Sequence, residues 1–213
     1  MMLTVTRLSR SYRRKVVLAG VSAHFPVGLS LLVGPSGAGK STLLRLIATV
    51  EKPDGGVIGW EGVPLPRARA ALRRTLGYAP QAVDLPEELT GREFAMHMAA
   101  LKGLDLRAAD AQFGAITDRI GLHADINGRI ATYSGGMRRR LVFAQALLGA
   151  PRLLVLDEPT AELDAETAHH VGLLILERAQ EACVIMTTHL ADALAPQAVQ
   201  VLRVEAGKMT AAS

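Results

Sequence analysis

The chain has 213 residues, of which 49% are hydrophobic and 21% charged, as expected for one globular domain with an apolar core. No apolar stretch approaches the ~18 residues of a membrane-spanning helix, and the one cysteine, Cys183, excludes an internal disulfide and a multi-cysteine metal site. The formal net charge is +4, with basic clusters at residues 7–15, 67–74 and 138–140. Such clusters are typical of solvated faces, but they also suit a nucleic acid or an anionic membrane surface.

The first third of the chain is predicted to consist mainly of short strands. Alternating apolar and polar residues at 3–8 and 21–25 predict two of them. Residues 29–33 form an apolar run typical of a buried strand, which a glycine-rich loop and a helix-compatible stretch at 41–50 follow. A further strand is predicted at 57–60.

After the first third of the chain, the predicted secondary structure changes twice. Residues 85–140 favour helices, most clearly at 93–101. The predicted elements that follow are strands at 153–156 and 184–187, a helix at 165–180 and a hairpin-like end at 199–209. Short apolar strands that alternate with helices predict a mostly parallel sheet covered on both faces. The helical stretch interrupts this alternation, which indicates a helical subdomain inserted into an α/β core.

Residues 34–42 match the phosphate-binding pattern G-x-x-x-x-G-K-[ST], between a predicted strand and a predicted helix. A triphosphate needs many donors without bulky side chains in the way, and glycines let backbone N–H groups approach it at a helix start. Lys40 would reach the β- and γ-phosphates, and Ser41 would bind Mg²⁺. The predicted nucleotide-binding residues of this loop are Gly34, Pro35, Ser36, Gly37, Ala38, Gly39, Lys40, Ser41 and Thr42. The motif alone does not distinguish kinases, GTPases and motor ATPases.

A pair of acids, Asp157 and Glu158, follows the apolar run at 153–156. The C-terminal end of a central parallel strand is where α/β proteins bind ligands. Asp157 would hold Mg²⁺ through water, and Glu158 would orient or deprotonate an attacking water. A strand that ends in acids is common, so an ordinary surface pair is the alternative interpretation.

The segment Tyr-Ser-Gly-Gly-Met at residues 133–137 discriminates among proteins with such a loop. Ser134 is a candidate N-cap, and Gly135 and Gly136 leave backbone N–H groups open at a helix start, which suits an anion. Together with the phosphate-binding loop and the paired acids, this segment resembles the Leu-Ser-Gly-Gly-Gln signature of the ABC ATPase family. In that family the signature meets the γ-phosphate of ATP held by the opposite protomer, so the resemblance implies a head-to-tail homodimer.

Further residues match the family in order along the chain. The resemblance implies that Tyr12 stacks on adenine with Val17 beside the base, and that residues 161–164 form a dimer-contact loop. Gln81 matches the glutamine that senses Mg²⁺ and the γ-phosphate, and His189 matches a histidine that contacts the γ-phosphate. The implied catalytic residues are Glu158, His189 and Gln81, and the implied Mg²⁺ ligands are Ser41, Gln81 and Asp157.

Three positions depart from the family pattern. Tyr133 and Met137 stand where the signature has Leu and Gln. Met137 cannot make the polar contact that the family's Gln could make to the opposite nucleotide. Glu162 stands where a small residue is more usual in the dimer-contact loop. The variant signature looks most like that of ATPase subunits of drug, antibiotic and other multi-substrate exporters.

The resemblance therefore implies a P-loop NTPase fold of the α/β class: a mostly parallel sheet, an N-terminal antiparallel β part and an inserted helical subdomain. Residues 1–213 would form one ABC ATP-binding domain, with the helical subdomain at about 82–140. We expect it to bind ATP and Mg²⁺, to dimerise around ATP, and to power a separate integral membrane permease, with export favoured over import. Nucleic acid is not an expected partner. The N-terminus lacks a basic-then-apolar signal pattern, so a cytoplasmic chain, bound through the permease to the inner face of the membrane, is expected.

Three other functions are possible alternatives for a chain with these motifs. A non-transport ABC ATPase that acts on DNA or the ribosome would usually show two cassettes in one chain or long coiled-coil insertions. A regulatory module that hydrolyses little ATP would not need Glu158 and His189. A GTPase would carry an Asn-Lys-x-Asp motif for reading the base, and the sequence has none.

Overall fold

The computed structural model describes residues 2–82, 84–188 and 194–212. The strands are β1 (Leu3–Tyr12), β2 (Lys15–Phe25), β3 (Gly28–Val33), β4 (Gly55–Trp60), β5 (Val63–Pro64), β6 (Leu76–Ala79), β7 (Leu153–Asp157), β8 (Cys183–Thr187), β9 (Ala198–Glu205) and β10 (Lys208–Ala211). The helices are α1 (Lys40–Ile47), α2 (Arg69–Arg74), α3 (Gly91–Leu101), α4 (Leu106–Arg119), α5 (Gly135–Leu147) and α6 (Ala165–Ala179). Short 3₁₀ turns lie at His123–Asp125, Ile130–Thr132 and Ala195–Gln197.

The N-terminal strands form an antiparallel sheet of four strands in the order β2-β1-β4-β5. The predicted strands at 3–8 and 21–25 are parts of the longer β1 and β2, which a tight turn joins so that Tyr12 pairs with Lys15. The buried residues of β1, Leu3, Val5 and Leu8, pack on the inner face of this sheet, as expected for a strand with one solvated side.

The second sheet has six strands in the order β10-β9-β3-β8-β7-β6, and all its neighbouring pairs are parallel except β9 with β10. Strands β7 and β8 are buried along their whole length, because helices or the other sheet cover both faces. The carboxyl ends of β3, β7 and β8 lie at one edge, where the phosphate-binding loop and Asp157 are found. The fold is therefore the expected α/β architecture with an antiparallel N-terminal part.

Strand β6 was not among the elements predicted from the sequence. It has four residues, pairs with β7 from Leu76 opposite Leu153, and forms the edge of the sheet. Gly77 in it lies so close to α5 that an added Cβ would be 2.1 Å from the carbonyl oxygen of Ala146. A strand of four residues is too short to show a periodic hydrophobic pattern, and its glycine is there for close packing on α5.

Two hydrophobic clusters cover the faces of the six-stranded sheet. One joins it to α5, α6 and the helical region, and the other joins it to α1 and the antiparallel sheet. Cys183 lies in the second cluster, where burial raises the pKa of its thiol to about 12, so it is a core residue.

Helices α3, α4 and α5 pack on one another and make up the helical region. Each has a side-chain N-cap: Thr90 with the Glu93 capping box, Asp105 and Ser134. Helix α5 runs on to Leu147, beyond the boundary expected near residue 140. Its second half lies against β6, where Gln145 Nε2 donates to the carbonyl oxygen of Tyr78 at 3.0 Å. Among the described residues, no helix is long and apolar enough to cross a membrane.

Candidate functional site

The phosphate-binding loop connects β3 to α1, and glycine is required at two of its positions. Gly34 has φ 137°, and a Cβ there would lie 2.1 Å from the carbonyl oxygen of Val204 on β9. Gly39 has φ 105°, and a Cβ there would lie 3.0 Å from the carbonyl oxygen of Val17 on β2. Both sheets therefore confine the loop, and its backbone conformation is one that side-chain-bearing residues rarely adopt.

The start of α1 is a donor-rich surface. No described side chain caps it, because its N-cap residue is Gly39. Lys40 folds back over the loop, and its Nζ donates to the carbonyl oxygens of Gly34 at 2.7 Å and Pro35 at 3.0 Å. These contacts hold the ammonium group above the loop, where it and the backbone N–H groups can bind a polyphosphate anion.

A cleft of about 470 Å³ opens over this loop. Ten residues proposed from the sequence line it: Tyr12, Val17, Ser36, Gly37, Gly39, Lys40, Ser41, Thr42, Gln81 and Glu158. Lys15, at the start of β2, also lines the cleft and was not proposed. The only sequence feature that pointed to Lys15 was its position in the basic cluster at residues 7–15. Such a cluster does not indicate which of its basic side chains faces a binding site. Gly34, Pro35 and Ala38 belong to the loop without lining the cleft, and the carbonyls of the first two hold Lys40.

The paired acids after β7 have different surroundings. Asp157 is 4% exposed and its Oδ1 accepts a hydrogen bond of 2.6 Å from Thr187 Oγ1 at the end of β8. Glu158 is turned toward the cleft, where its Oε2 accepts from Gln81 Nε2 at 3.2 Å. Its backbone N–H donates to Thr187 Oγ1 at 3.0 Å, so one threonine hydroxyl ties both acids to the adjacent strand. This role of Thr187 was not proposed from the sequence.

Tyr12, which also lines the cleft, belongs to a network of charged side chains. Its hydroxyl donates to Glu51, accepts from Arg45 Nη2 at 3.2 Å, and its ring lies 4.8 Å from the guanidinium carbon of Arg10. Arg45 also donates to Glu51 at 2.6 Å. Burial alone would raise the pKa of Glu51, but hydrogen bonds from Tyr12 and Arg45 outweigh it and lower the pKa. We name these residues, with Asp54, the Tyr12 network.

Asp54 completes the Tyr12 network from the turn before β4. Its carboxylate accepts from the backbone N–H of Ser11 at 2.7 Å and from Arg10 Nη1 at 2.8 Å. These two bonds, the backbone bond first, lower the pKa of Asp54. The network therefore fixes the end of β1, and with it the ring of Tyr12, against the end of α1.

The residues proposed as Mg²⁺ ligands offer the oxygen donors that this ion prefers. They are a hydroxyl (Ser41), a carboxylate (Asp157) and an amide (Gln81), at the edge of the sheet where the loop and β7 end. The described residues contain no group of three or more His, Cys, Asp and Glu side chains placed to hold a metal. This donor set fits Mg²⁺, because Mg²⁺ is usually held by one or two carboxylates together with substrate phosphates and water.

The residues of the signature lie outside the cleft. Ser134 caps α5 by accepting from the backbone N–H of Met137 at 3.3 Å, and both Ser134 and Gly135 are exposed. An added Cβ on Gly135 would lie 3.5 Å from Glu162 Oε2, so Glu162 lies beside the start of α5. Within one chain, the signature and the phosphate-binding loop therefore form separate surfaces.

Two of the unusual residues of the signature pack within the chain. Tyr133 is 6% exposed and its hydroxyl donates to the carbonyl oxygen of Asp125 at 2.8 Å, beside Gly91 at the start of α3. Met137 packs against the hydrophobic cluster of the helical region. His189, proposed as a catalytic residue, lies outside the described residues.

The comparisons with known proteins agree with this geometry. The model of the family described as "ABC transporter" matches residues 18–161, more than half of the chain. The chain belongs to the ABC transporter family. The family predicted from the signature, the loop and the paired acids is thus confirmed. The role of each residue stays a prediction.

Relatives and solved structures extend the match beyond these residues. The Nod factor export ATP-binding protein I of Rhizobium etli is 36% identical over 191 residues, 87% of this chain and 59% of that protein. An uncharacterized ABC transporter ATP-binding protein of Bacillus subtilis is 35% identical over 89% of this chain and 63% of its own length. The chain thus spans about three fifths of the length of these relatives.

The structure of an ATP-binding subunit of an ABC transporter superposes with a TM-score of 0.87 at 26% identity, covering 99% of this chain and 90% of that one. A dimeric bacterial ABC transporter cassette gives a TM-score of 0.88 at 21% identity, covering 99% and 98% of the two chains. The second likeness supports the fold alone.

Proposed function

We propose that this chain binds and hydrolyses ATP and that the hydrolysis drives a membrane transporter. The observation that carries the proposal is the cleft into which the loop lysine Lys40, Gln81 and Glu158 all open. The loop supplies the donors for a triphosphate, and a carboxylate faces them across the same space. This is the arrangement that hydrolysis of a terminal phosphate requires.

Each residue of the cleft takes one part in that reaction. Lys40 and the N–H groups at the start of α1 bind the β- and γ-phosphates. Glu158 orients the attacking water and accepts its proton, and Gln81, bonded to Glu158, lies at the same end of the cleft. Ser41, Asp157 and Gln81 would hold Mg²⁺, which would supply charge neutralisation at the phosphate.

The direct test compares the parent with Glu158→Gln, which keeps the shape of the side chain but cannot act as a base. We expect Glu158→Gln to bind ATP with the parent affinity and to lose nearly all phosphate release. It should also accumulate as an ATP-bound dimer in size-exclusion chromatography. A Glu158→Gln variant that hydrolyses ATP at the parent rate would show that Glu158 is not the base.

The second part of the proposal is that two chains share each ATP. Ser134 caps α5 on an exposed surface outside the cleft, so in a head-to-tail dimer it would close over the phosphates held by the other chain. Lys40→Ala should fail to hold ATP, and Ser134→Arg should hold ATP but block closure. With Glu158→Gln in every chain, an ATP-dependent dimer should appear only when the two variants are mixed. A variant that dimerises alone as well as its parent would exclude a shared site.

The third part concerns the partner, an integral membrane permease that would hold the chain at the inner face of the membrane. The relatives named as export proteins support export as the direction. Residues 85–104 follow Gln81 and include α3, where Leu101 is 70% exposed. A movement of Gln81 at the phosphates could therefore be passed to a partner bound at this surface.

We expect Leu101→Ser to preserve ATP hydrolysis by the isolated chain and to impair transport by the complex. Val199→Ser is the matched control, because Val199 is also an exposed apolar residue, at 55%, but lies on β9 and not in the helical region. If Leu101→Ser abolishes hydrolysis by the isolated chain while the complex assembles normally, the coupling role of α3 is wrong.

A further inference from the structure

Three consecutive arginines of α5 reach three different parts of the chain. Arg138 Nη2 donates to Glu87 at 2.7 Å, and Arg140 Nη1 donates to the carbonyl oxygen of Gly121 at 2.6 Å, after the end of α4. Arg139 Nη1 instead donates to the backbone carbonyl oxygen of Glu158 at 2.9 Å. The cluster is therefore not one basic face, and Arg139 is the member that contacts the candidate catalytic loop.

The backbone that Arg139 contacts is in a strained conformation. Glu158 has φ 51°, a left-handed value that a residue other than glycine keeps only where its surroundings hold it. Its N–H group is held by Thr187 at the end of β8, and its carbonyl oxygen accepts from Arg139 and from the N–H of Ala161 at 3.2 Å. Arg139 is the side chain, from a different element, that fixes the carbonyl side of this residue.

The same guanidinium group reaches a second strained residue. Arg139 Nη2 lies 3.5 Å from Glu162 Oε1, and Glu162 has φ 63°. The side chain of Arg139 is 15% exposed, whereas that of Glu162 is 68% exposed. The planar guanidinium thus spans the loop between β7 and α6, from Glu158 to Glu162, with donors whose directions are fixed.

We propose that Arg139 is a positioning residue for the hydrolytic reaction. By holding the backbone of Glu158 it sets the direction of the Glu158 carboxylate toward the cleft, and it links this carboxylate to α5, the helix that begins at the signature. The proposal rests on the proposed function, in which Glu158 acts on the attacking water. It adds that the orientation of Glu158 depends on the helix that Ser134 caps.

The first experiment measures steady-state hydrolysis by Arg139→Gln and Arg139→Lys in the full chain. A misdirected base slows the chemical step and not ATP binding, so we expect Arg139→Gln to lower kcat roughly 10- to 100-fold with KM for ATP near the parent value. Arg139→Lys keeps a cationic donor for the Glu158 carbonyl oxygen and should recover part of kcat. A kcat near the parent value for Arg139→Gln would overturn the proposal.

Arg140→Gln is the matched control, because it loses the same charge from the same helix. It removes a guanidinium that binds the carbonyl oxygens of Ile120 and Gly121, remote from Glu158. We expect it to keep kcat and to lower the thermal midpoint. If Arg140→Gln lowers kcat as much as Arg139→Gln does, a general effect on α5 explains the result and the proposal fails.

The last experiment separates positioning from closure of a dimer. In a Glu158→Gln background, adding Arg139→Gln should leave the ATP-dependent dimer as abundant as with Glu158→Gln alone, as judged by size-exclusion chromatography. Loss of that dimer would assign Arg139 to closure and overturn the positioning role. The outcomes also separate the two proposals. If the parent chain hydrolyses no ATP, the proposed function fails. If Glu158→Gln hydrolyses ATP at the parent rate, the role of Glu158 as the base fails, and if only Arg139→Gln does so, the Arg139 assignment alone fails.

Discussion

At the phosphate end of the cleft the loop of residues 34–39 presents mainly backbone, whereas the surroundings of Tyr12 are a set of side chains from three separate elements. The phosphate end depends on glycines and on Lys40, which lie within one short segment. The Tyr12 network brings together β1, α1 and the turn before β4, and Tyr12 and Glu51 are 39 positions apart. The phosphate-binding loop is thus formed by residues that are adjacent in the sequence, whereas the Tyr12 network forms only when distant segments fold together.

This difference predicts how each end tolerates substitution. A backbone cradle with one lysine has no substitute for that lysine, while a network of several side chains can lose one member and keep part of its function.

The largest effect is expected for Lys40→Ala at the phosphate end. Lys40 is the loop side chain held over the phosphate site, and charge-assisted hydrogen bonds contribute about 1.5–3 kcal/mol each. We expect a loss of at least about 3 kcal/mol in the free energy of ATP binding, measured by titration with a fluorescent ATP analogue. Lys208→Ala, on β10 and exposed, is the control. A Lys40→Ala variant that keeps the parent affinity would show that the backbone of the loop binds the phosphates without Lys40.

The order of the motifs, more than any single one, made the fold and the phosphate end predictable. The loop at 34–42, the acids after β7 and the start of α5 are each contiguous, so their local conformation follows from a few residues. The antiparallel sheet and the helical region appear at the places expected for them. Strand β6 was not predicted, because its four residues are too few to show a periodic hydrophobic pattern.

The side-chain contacts that complete the site could not be predicted in the same way. Thr187 is 30 positions from Asp157, and Arg139 is 19 positions from Glu158. A buried threonine in a strand and an arginine in a basic run have ordinary structural roles in most proteins. Only the register of β7 with β8 and the packing of α5 bring them to the acids.

An intermediate effect is expected at Tyr12. Tyr12→Ala removes the ring that would stack on adenine and should weaken nucleotide binding by about 1–3 kcal/mol, the range for base–aromatic stacking. Tyr12→Trp should be tolerated, because stacking needs a ring and not a specific hydrogen bond. An unchanged affinity for Tyr12→Ala, in the same titration, would return Tyr12 to a structural role.

Tyr12→Phe separates the role of the ring from that of the network, because it keeps the ring and removes the hydroxyl that contacts Glu51 and Arg45. We expect it to weaken nucleotide binding less than Tyr12→Ala does, by about 0.5–1.5 kcal/mol, the net contribution of one hydrogen bond. A Tyr12→Phe variant as weak as Tyr12→Ala would mean that the network, and not the ring, recognises the base.

The smallest effect is expected from the pH dependence of the Tyr12 network. Because the folded state lowers the pKa of Glu51 below its usual 4.5, the ionised carboxylate stabilises the fold at pH values above 4.5, and this contribution is lost as the pH falls through the folded-state pKa. Glu51→Gln should therefore be less stable than the parent near neutral pH, by less than about 1 kcal/mol, and the difference should shrink in acid. Thermal melts of both proteins from pH 7 to about pH 3 measure it. Glu205→Gln, an exposed carboxylate on β9, is the control, and a difference that grows as the pH falls would contradict the assigned role of Glu51.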